Sequence, residues 1–309
     1  MKAFLFPGQG SQKLKMGMAS AESFAEARAV FDEVDEALHR KLSAIIFGDD
    51  ADELSKTENT QPALLVASIA TLRAIEGQSG KKASGIAGYA LGHSLGEYTA
   101  LVAAGAISLA DGAKLLERRA RAMAAAVPAG SGAMMAVIGL SIEQAMEIEK
   151  KTDGAYVAND NCPGQVVMSG RKDAIGKAEE EAMKTGARKC VILPVSVPAH
   201  CPLMAPAKAE VEAALGQTAL AEPALAFISN RTAALDSYPA EIKKHLAEQM
   251  TSGVRFRECV EFMAANGVAE CFELGSGGVL SGLVKRTSPG IQSTPIDSVE
   301  SIEAFVKSL

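Results

Sequence analysis

The chain has 309 residues, 48% hydrophobic and 22% charged, with a net charge of -6. This is the composition of a globular protein long enough for a sizeable core and more than one compact unit. It argues against a nucleic-acid binder, which needs a dense basic surface.

Short apolar runs alternate with amphipathic stretches, the pattern of an α/β protein. Residues 2–6 read as a strand stopped by Pro7-Gly8. Residues 23–42 have helical period, with Phe24, Ala27, Phe31, Val34 and Leu38 on one face. Residues 61–76 form a second helix, buried in its middle. Its apolar run 62–72 is about half a membrane span, so it reads as core. Residues 85–91 are short and apolar, like a parallel strand covered on both faces. Helices follow at 95–104 and 111–126, the second carrying Arg118, Arg119 and Arg121.

From Gly132 the pattern changes. We read strand 133–140, helix 141–151, strand 155–159, a Pro163-Gly164 turn, strand 165–169, helix 171–185 and strand 189–195. This βαββαβ order is that of a ferredoxin-like unit. The first pattern then resumes with helix 203–215, strand 226–229, helices 239–249 and 255–266, strand 269–274, and a glycine-rich turn into a final helix, 275–286. The expected organisation is therefore a larger subdomain of residues 1–128 and 197–309, interrupted by a small ferredoxin-like subdomain at 129–196.

The cysteines, Cys162, Cys190, Cys201, Cys259 and Cys271, are odd in number and have no C-x-x-C spacing. They suggest reduced thiols in a cytoplasmic protein, without a disulfide framework or a metal site. The segment Met1 to Pro7 is too short an apolar run for a signal peptide.

The chemistry concentrates at Gly92-His93-Ser94-Leu95-Gly96. A G-x-S-x-G that leaves a strand and opens a helix lifts its serine above the sheet. The helix N-terminus favours a developing oxyanion, with the Leu95 backbone N–H as a natural donor. The plainer reading of Ser94 is a helix N-cap. A serine nucleophile needs a base, usually histidine. The chain offers His39, His93, His200 and His245. His39 and His245 lie in charged helical stretches and are expected in solvent. His93 adjoins Ser94, where neighbours on a chain point apart. His200 follows the small unit, at a junction suited to a cleft. Gly8-Gln9-Gly10 ends the first strand and could supply a second oxyanion donor. Arg118, Arg119 and Arg121 could grip a carboxylate, but spacing does not choose among them.

Together these segments resemble the malonyl-CoA:acyl carrier protein transacylase family. The shared motifs run nearly end to end: Phe6 to Gln12, Gly92 to Tyr98, Arg119 ahead of Ala126-Val127-Pro128, Asn161 to Val167, Val195 to His200, and Gly282 to Arg286. The resemblance implies an α/β-hydrolase-like catalytic subdomain with the ferredoxin-like insert. It makes Ser94 the acylated nucleophile, His200 its base, Gln9 and Leu95 the oxyanion hole, and Arg119 the malonyl carboxylate ligand. It implies that a backbone carbonyl orients the histidine, with Gly253 to Phe256 as the matching segment. Arg255 stands there where some members have glutamine, and Ala199 stands where close relatives often have serine. Asn161 and His93 are expected to support the site.

The implied reaction is ping-pong transfer of malonyl from malonyl-CoA to the phosphopantetheine thiol of acyl carrier protein, for fatty-acid synthesis. No permanently bound cofactor or metal is implied, and a monomer is the default. Lys285, Arg286, Arg188 and Lys189 are candidates for docking an acidic carrier. The alternatives are a trans-acting acyltransferase of a polyketide pathway, a serine thioesterase or hydrolase, and a non-catalytic synthase subunit.

Overall fold

Strand side chains alternate between the two faces of a sheet. In the first strand Ala3 and Leu5 enter one apolar core, and Phe4 and Phe6 enter another. A strand apolar on both faces needs a layer on each side. The computed structural model describes residues 1–195 and 197–309 and supplies both layers. The strands are, in chain order, β1 (Lys2–Phe6), β2 (Tyr89–Gly92), β3 (Gly132–Ile138), β4 (Ala155–Cys162), β5 (Gln165–Arg171), β6 (Lys189–Ile192), β7 (Ala226–Ser229), β8 (Ala234–Leu235), β9 (Glu270–Leu274) and β10 (Gln292–Ile296). One sheet has the order β10-β9-β1-β2-β7-β8 and is parallel except for β8. The other has the order β4-β5-β3-β6 and is antiparallel throughout. Helices Ile142–Lys151 and Lys172–Thr185 bury Ala145, Ile148, Ala174, Ile175, Ala178 and Ala182 beneath it.

Most elements lie where the periodicity placed them, and the differences have physical causes. The helix expected at 23–42 is shorter: it runs Ala25–Ala37, after Phe24, which is extended at φ -126, and Leu42 opens a separate helix, Leu42–Phe47. The apolar face is nonetheless correct, since Phe24, Ala27, Phe31, Val34 and Leu38 are all buried. Strand β6 stops at Ile192, short of 195, before Pro194. The helix expected from Gly275 starts at Val279, and β10 and the helix Val299–Lys307 follow it. Strand β10 reads poorly because it is polar and contains Pro295. It lies on the sheet edge, where a residue without an N–H is tolerated.

The long helix Thr57–Ser79 lies against both Ala25–Ala37 and Leu109–Ala125 and is buried along almost its whole length. Pro62 lies inside it and leaves the Glu58 carbonyl without its helical donor. The Arg40 guanidinium takes that carbonyl at 3.1 Å and the Asn59 side chain at 2.8 Å. The turn thus secured carries Gln61, fully buried, toward the site. Among the described residues, no helix is long and apolar enough to cross a membrane.

Candidate active site

Strand register brings the site together. In the parallel sheet Phe6 lies beside Gly92 and Leu91 beside Ile228. The chain therefore leaves β1 at Gly8-Gln9, β2 at His93-Ser94 and β7 at Asn230 along one edge, the carboxyl edge where such sheets bind ligands. The turn after β2 needs its glycines. A Cβ on Gly92 would lie 1.9 Å from the Gly96 carbonyl carbon, and one on Gly96 would lie 2.2 Å from the Phe6 oxygen. Ser94, at the apex, has φ 54. A non-glycine residue in this region is strained and must be held by its surroundings. Asn230 does so: its Oδ1 accepts the Ser94 N–H at 2.8 Å and its Nδ2 donates to the Gly92 carbonyl at 2.8 Å.

Ser94 Oγ lies 2.7 Å from His200 Nε2. On the far side of the ring, Nδ1 lies 2.9 Å from the Gln249 carbonyl. A carbonyl only accepts, so Nδ1 carries the proton and Nε2 is free to take one from serine. His200 also has positive φ, at 59, and is buried. The orienting carbonyl was expected in the segment Gly253 to Phe256; it belongs instead to Gln249. That residue follows the helix Pro239–Glu248, where helical carbonyls lack helical donors. The negative end of that helix would also favour a protonated ring there. Arg255 is bound elsewhere, to Glu258 at 2.5 Å and to the Thr232 carbonyl at 3.1 Å.

Arg119 is chosen from its neighbours by burial. Arg118 and Arg121 sit on the surface with Glu210 and Glu117. Arg119 is 1% exposed. Its guanidinium donates to Gln61 Oε1 at 2.7 Å, Ser94 Oγ at 3.0 Å and Gln249 Oε1 at 3.3 Å, and its face lies over the Tyr98 ring. Its Nε has no partner, and no carboxylate contacts it among the described residues. A buried cation held only by neutral acceptors is costly, by several kcal/mol, unless an anion joins it. Glu97, also buried, is the nearby acid; burial raises its carboxyl to about 8, against the opposing pull of the Asn230 N–H and Arg119.

A cavity of about 80 Å³ opens in front of these groups. Gln9, Ser94, Leu95, Arg119 and His200 line it from the parallel-sheet side, and Met134, Asn159 and Leu193 from the antiparallel-sheet side. The Leu95 N–H has no protein acceptor among the described residues. His93 faces away from serine: its Nε2 meets Asn161 Oδ1 at 2.9 Å, and its ring packs on Phe256. His39 is exposed, whereas His245 is not the solvated residue expected from its charged helix. It is half-buried, with Nδ1 2.6 Å from Asp236. Sequence reasoning missed Gln61, Glu97, Asn230 and Gln249. Glu97 adjoins the G-x-S-x-G turn, but nothing in the sequence distinguishes the other three from surface amides.

Burial, helped by the Arg119 charge, lowers His200 to about 3. With His200 as the base, kcat/KM for the acyl donor should show no acid limb near 6.5, the usual histidine value. An anion on Arg119 would offset that charge and raise the pKa, so the acid limb of kcat should lie at higher pH than that of kcat/KM. The same shift bears on stability. Between about 6.5 and about 3 the unfolded chain binds a proton at His200 that the folded chain refuses, so stability falls as pH falls through that window. A pH series of both kinetic constants, with thermal unfolding alongside, checks each sign.

An acyltransferase is the class to which the comparisons lead: the acyl transferase domain family matches residues 3–297. The malonyl CoA-acyl carrier protein transacylase of Bacillus subtilis is 43% identical over 99% of this chain and 96% of its own. The crystal structure of an acyl-carrier-protein-S-malonyltransferase from Bartonella henselae has a TM-score of 0.96 at 44% identity, covering 99% of this chain and 98% of that one. A malonyl-transacylase in complex with its type II PKS acyl-carrier protein has a TM-score of 0.96 at 35% identity, covering 100% and 99%. The chain belongs to the malonyl CoA-acyl carrier protein transacylase family.

Proposed function

We propose that this acyltransferase moves the malonyl group of malonyl-CoA to the phosphopantetheine thiol of acyl carrier protein through an ester on Ser94. The observation that carries this reading is the buried Arg119 guanidinium 3.0 Å from Ser94 Oγ. A fixed cation beside a nucleophile selects an acyl group that bears its own carboxylate.

His200 Nε2 takes the Ser94 hydroxyl proton as Oγ bonds to the thioester carbon. The carbonyl oxygen becomes an oxyanion, held by the N–H groups of Gln9 and Leu95, each worth on the order of 3 kcal/mol in comparable sites. The carbon–sulfur bond then breaks, and His200 returns the proton to the CoA thiol. In the second half, His200 takes the proton of the carrier thiol, sulfur attacks the ester, and Ser94 regains its hydrogen. Arg119 holds the malonyl carboxylate through both halves. Asn161 keeps His93 turned away from the serine, and Arg255 contributes only through the loop it braces.

Residues 1–128 and 197–309 would form an α/β-hydrolase-like catalytic subdomain, with 129–196 as its ferredoxin-like insert and the cleft between them. The boundary at Ser196 lies outside the described residues. Fatty-acid synthesis in the cytoplasm, by a monomer that keeps no cofactor, is the setting this reading implies. Arg188 and Lys189 at the start of β6, with Lys285 and Arg286 on the helix Val279–Thr287, are exposed and could receive an acidic carrier.

The protein incubated with malonyl-CoA and phosphopantetheinylated carrier should yield malonyl-carrier, with little malonate formed when the carrier is omitted. Equal malonate release with and without carrier would favour a hydrolase.

A further inference from the structure

Glu97 follows the reactive turn directly, in the helix Gly96–Ala103, and is 1% exposed. Its Oε1 accepts the Asn230 backbone N–H at 2.6 Å, and its Oε2 accepts from Gln249 Nε2. Each of these partners also holds one half of the reactive pair. Asn230 holds the Ser94 N–H and the Gly92 carbonyl, so it fixes both sides of the strained turn. Gln249 offers its backbone carbonyl to His200 Nδ1, while its side-chain Oε1 accepts from Arg119. The polarity of this chain of bonds is set at one end. A guanidinium can only donate, so Gln249 turns Oε1 toward Arg119 and Nε2 toward Glu97. The bonds close a ring from Ser94 Oγ through Arg119, Gln249, Glu97 and Asn230 back to the Ser94 N–H.

We propose that Glu97 is a positioning residue of the transfer reaction: its two carboxyl oxygens tie the acceptor that restrains Ser94 to the residue that orients His200. The inference takes Ser94 and His200 as the reactive pair, as proposed above. Glu97 touches no reacting atom, so its loss should slow acylation and leave donor binding nearly intact. A displacement of about 1 Å at a reacting group costs on the order of a hundredfold.

The test is single-turnover malonylation of the whole chain, with the variants checked for folding by circular dichroism. Both Glu97 oxygens accept, so the test is run above pH 8, where its raised carboxyl is ionised; there Glu97→Gln keeps shape and one acceptor but sets an amide N–H against that of Gln249. The acylation rate should fall at least tenfold, with KM for malonyl-CoA within about twofold of the parent. Adding Gln249→Glu to Glu97→Gln reverses donor and acceptor. The rate should return to within about threefold of the parent, while KM rises because a carboxylate now competes for Arg119. If Glu97→Gln does not fold, Gln249→Ala opens the same ring from the other side, and the same fall in acylation rate is expected. An unchanged rate in the folded variant, or a folded double variant no faster than Glu97→Gln alone, overturns the proposal. Failure of the underlying reading looks different: Ser94→Ala would then still take up malonyl.

Discussion

His200→Ala is expected to slow malonylation of the protein by about 10²- to 10⁴-fold, the usual worth of a positioned general base. The ring lies between Ser94 Oγ at 2.7 Å and the Gln249 carbonyl at 2.9 Å. Alanine keeps the backbone path but leaves the serine proton with no acceptor at Nε2. The residual rate would come from Arg119 and the oxyanion donors, which the substitution does not touch. KM for malonyl-CoA should change little. Stopped-flow acylation measures this loss, and a fall of less than tenfold would mean that another group takes the proton. His93 is poorly placed to substitute, since its Nε2 faces Asn161. The protein should also become less sensitive to acid unfolding between about 6.5 and about 3, because the alanine variant lacks the buried group that refuses the proton.

Arg119→Ala should separate substrates rather than simply weaken the enzyme. Truncating one partner of a buried, hydrogen-bonded charge pair costs about 2–5 kcal/mol. Loss of kcat/KM for malonyl-CoA should therefore be roughly 30-fold to over a thousandfold, since about 1.4 kcal/mol is a factor of ten. Acetyl-CoA offers no carboxylate. In the parent it would leave the cation unpaired, so the substitution should leave acetyl transfer unchanged or improve it. The selectivity ratio, measured by competition between the two donors, should collapse. Lysine at 119 should recover only part of it, because an ammonium cannot reproduce the planar fork that also holds Gln61 and Gln249.

The reactive turn was legible in the sequence because each of its requirements is local. Two glycines, a serine and the change from strand to helix lie within a few residues. The helix face of Phe24, Ala27, Phe31, Val34 and Leu38 was legible for the same reason, although the helix start after Phe24 was not. His200 could be favoured by elimination and by its place after the small unit. Arg119 could not be separated from Arg118 and Arg121 by spacing, since one helix carries all three and only its packing against neighbouring helices decides which is buried. Resemblance to a family made that choice; of the three, Arg119 is the buried one. The carbonyl that orients His200 was sought at Gly253 to Phe256 because a backbone acceptor leaves no side-chain signature. Gln249, Asn230 and Gln61 were invisible for a related reason: an amide in a mixed sequence reads the same in solvent or at 0% exposure. The edge strand β10 escaped because it is short and polar, and it contains Pro295.

Acylation of Ser94 is the step on which the proposed reaction turns. After mixing with malonyl-CoA in the absence of carrier protein, intact mass should show one added malonyl group, and peptide mapping should place it on Ser94. The adduct should disappear on addition of phosphopantetheinylated carrier, and Ser94→Ala should show none. A malonyl adduct on any other residue, or full transfer by Ser94→Ala, would contradict the account.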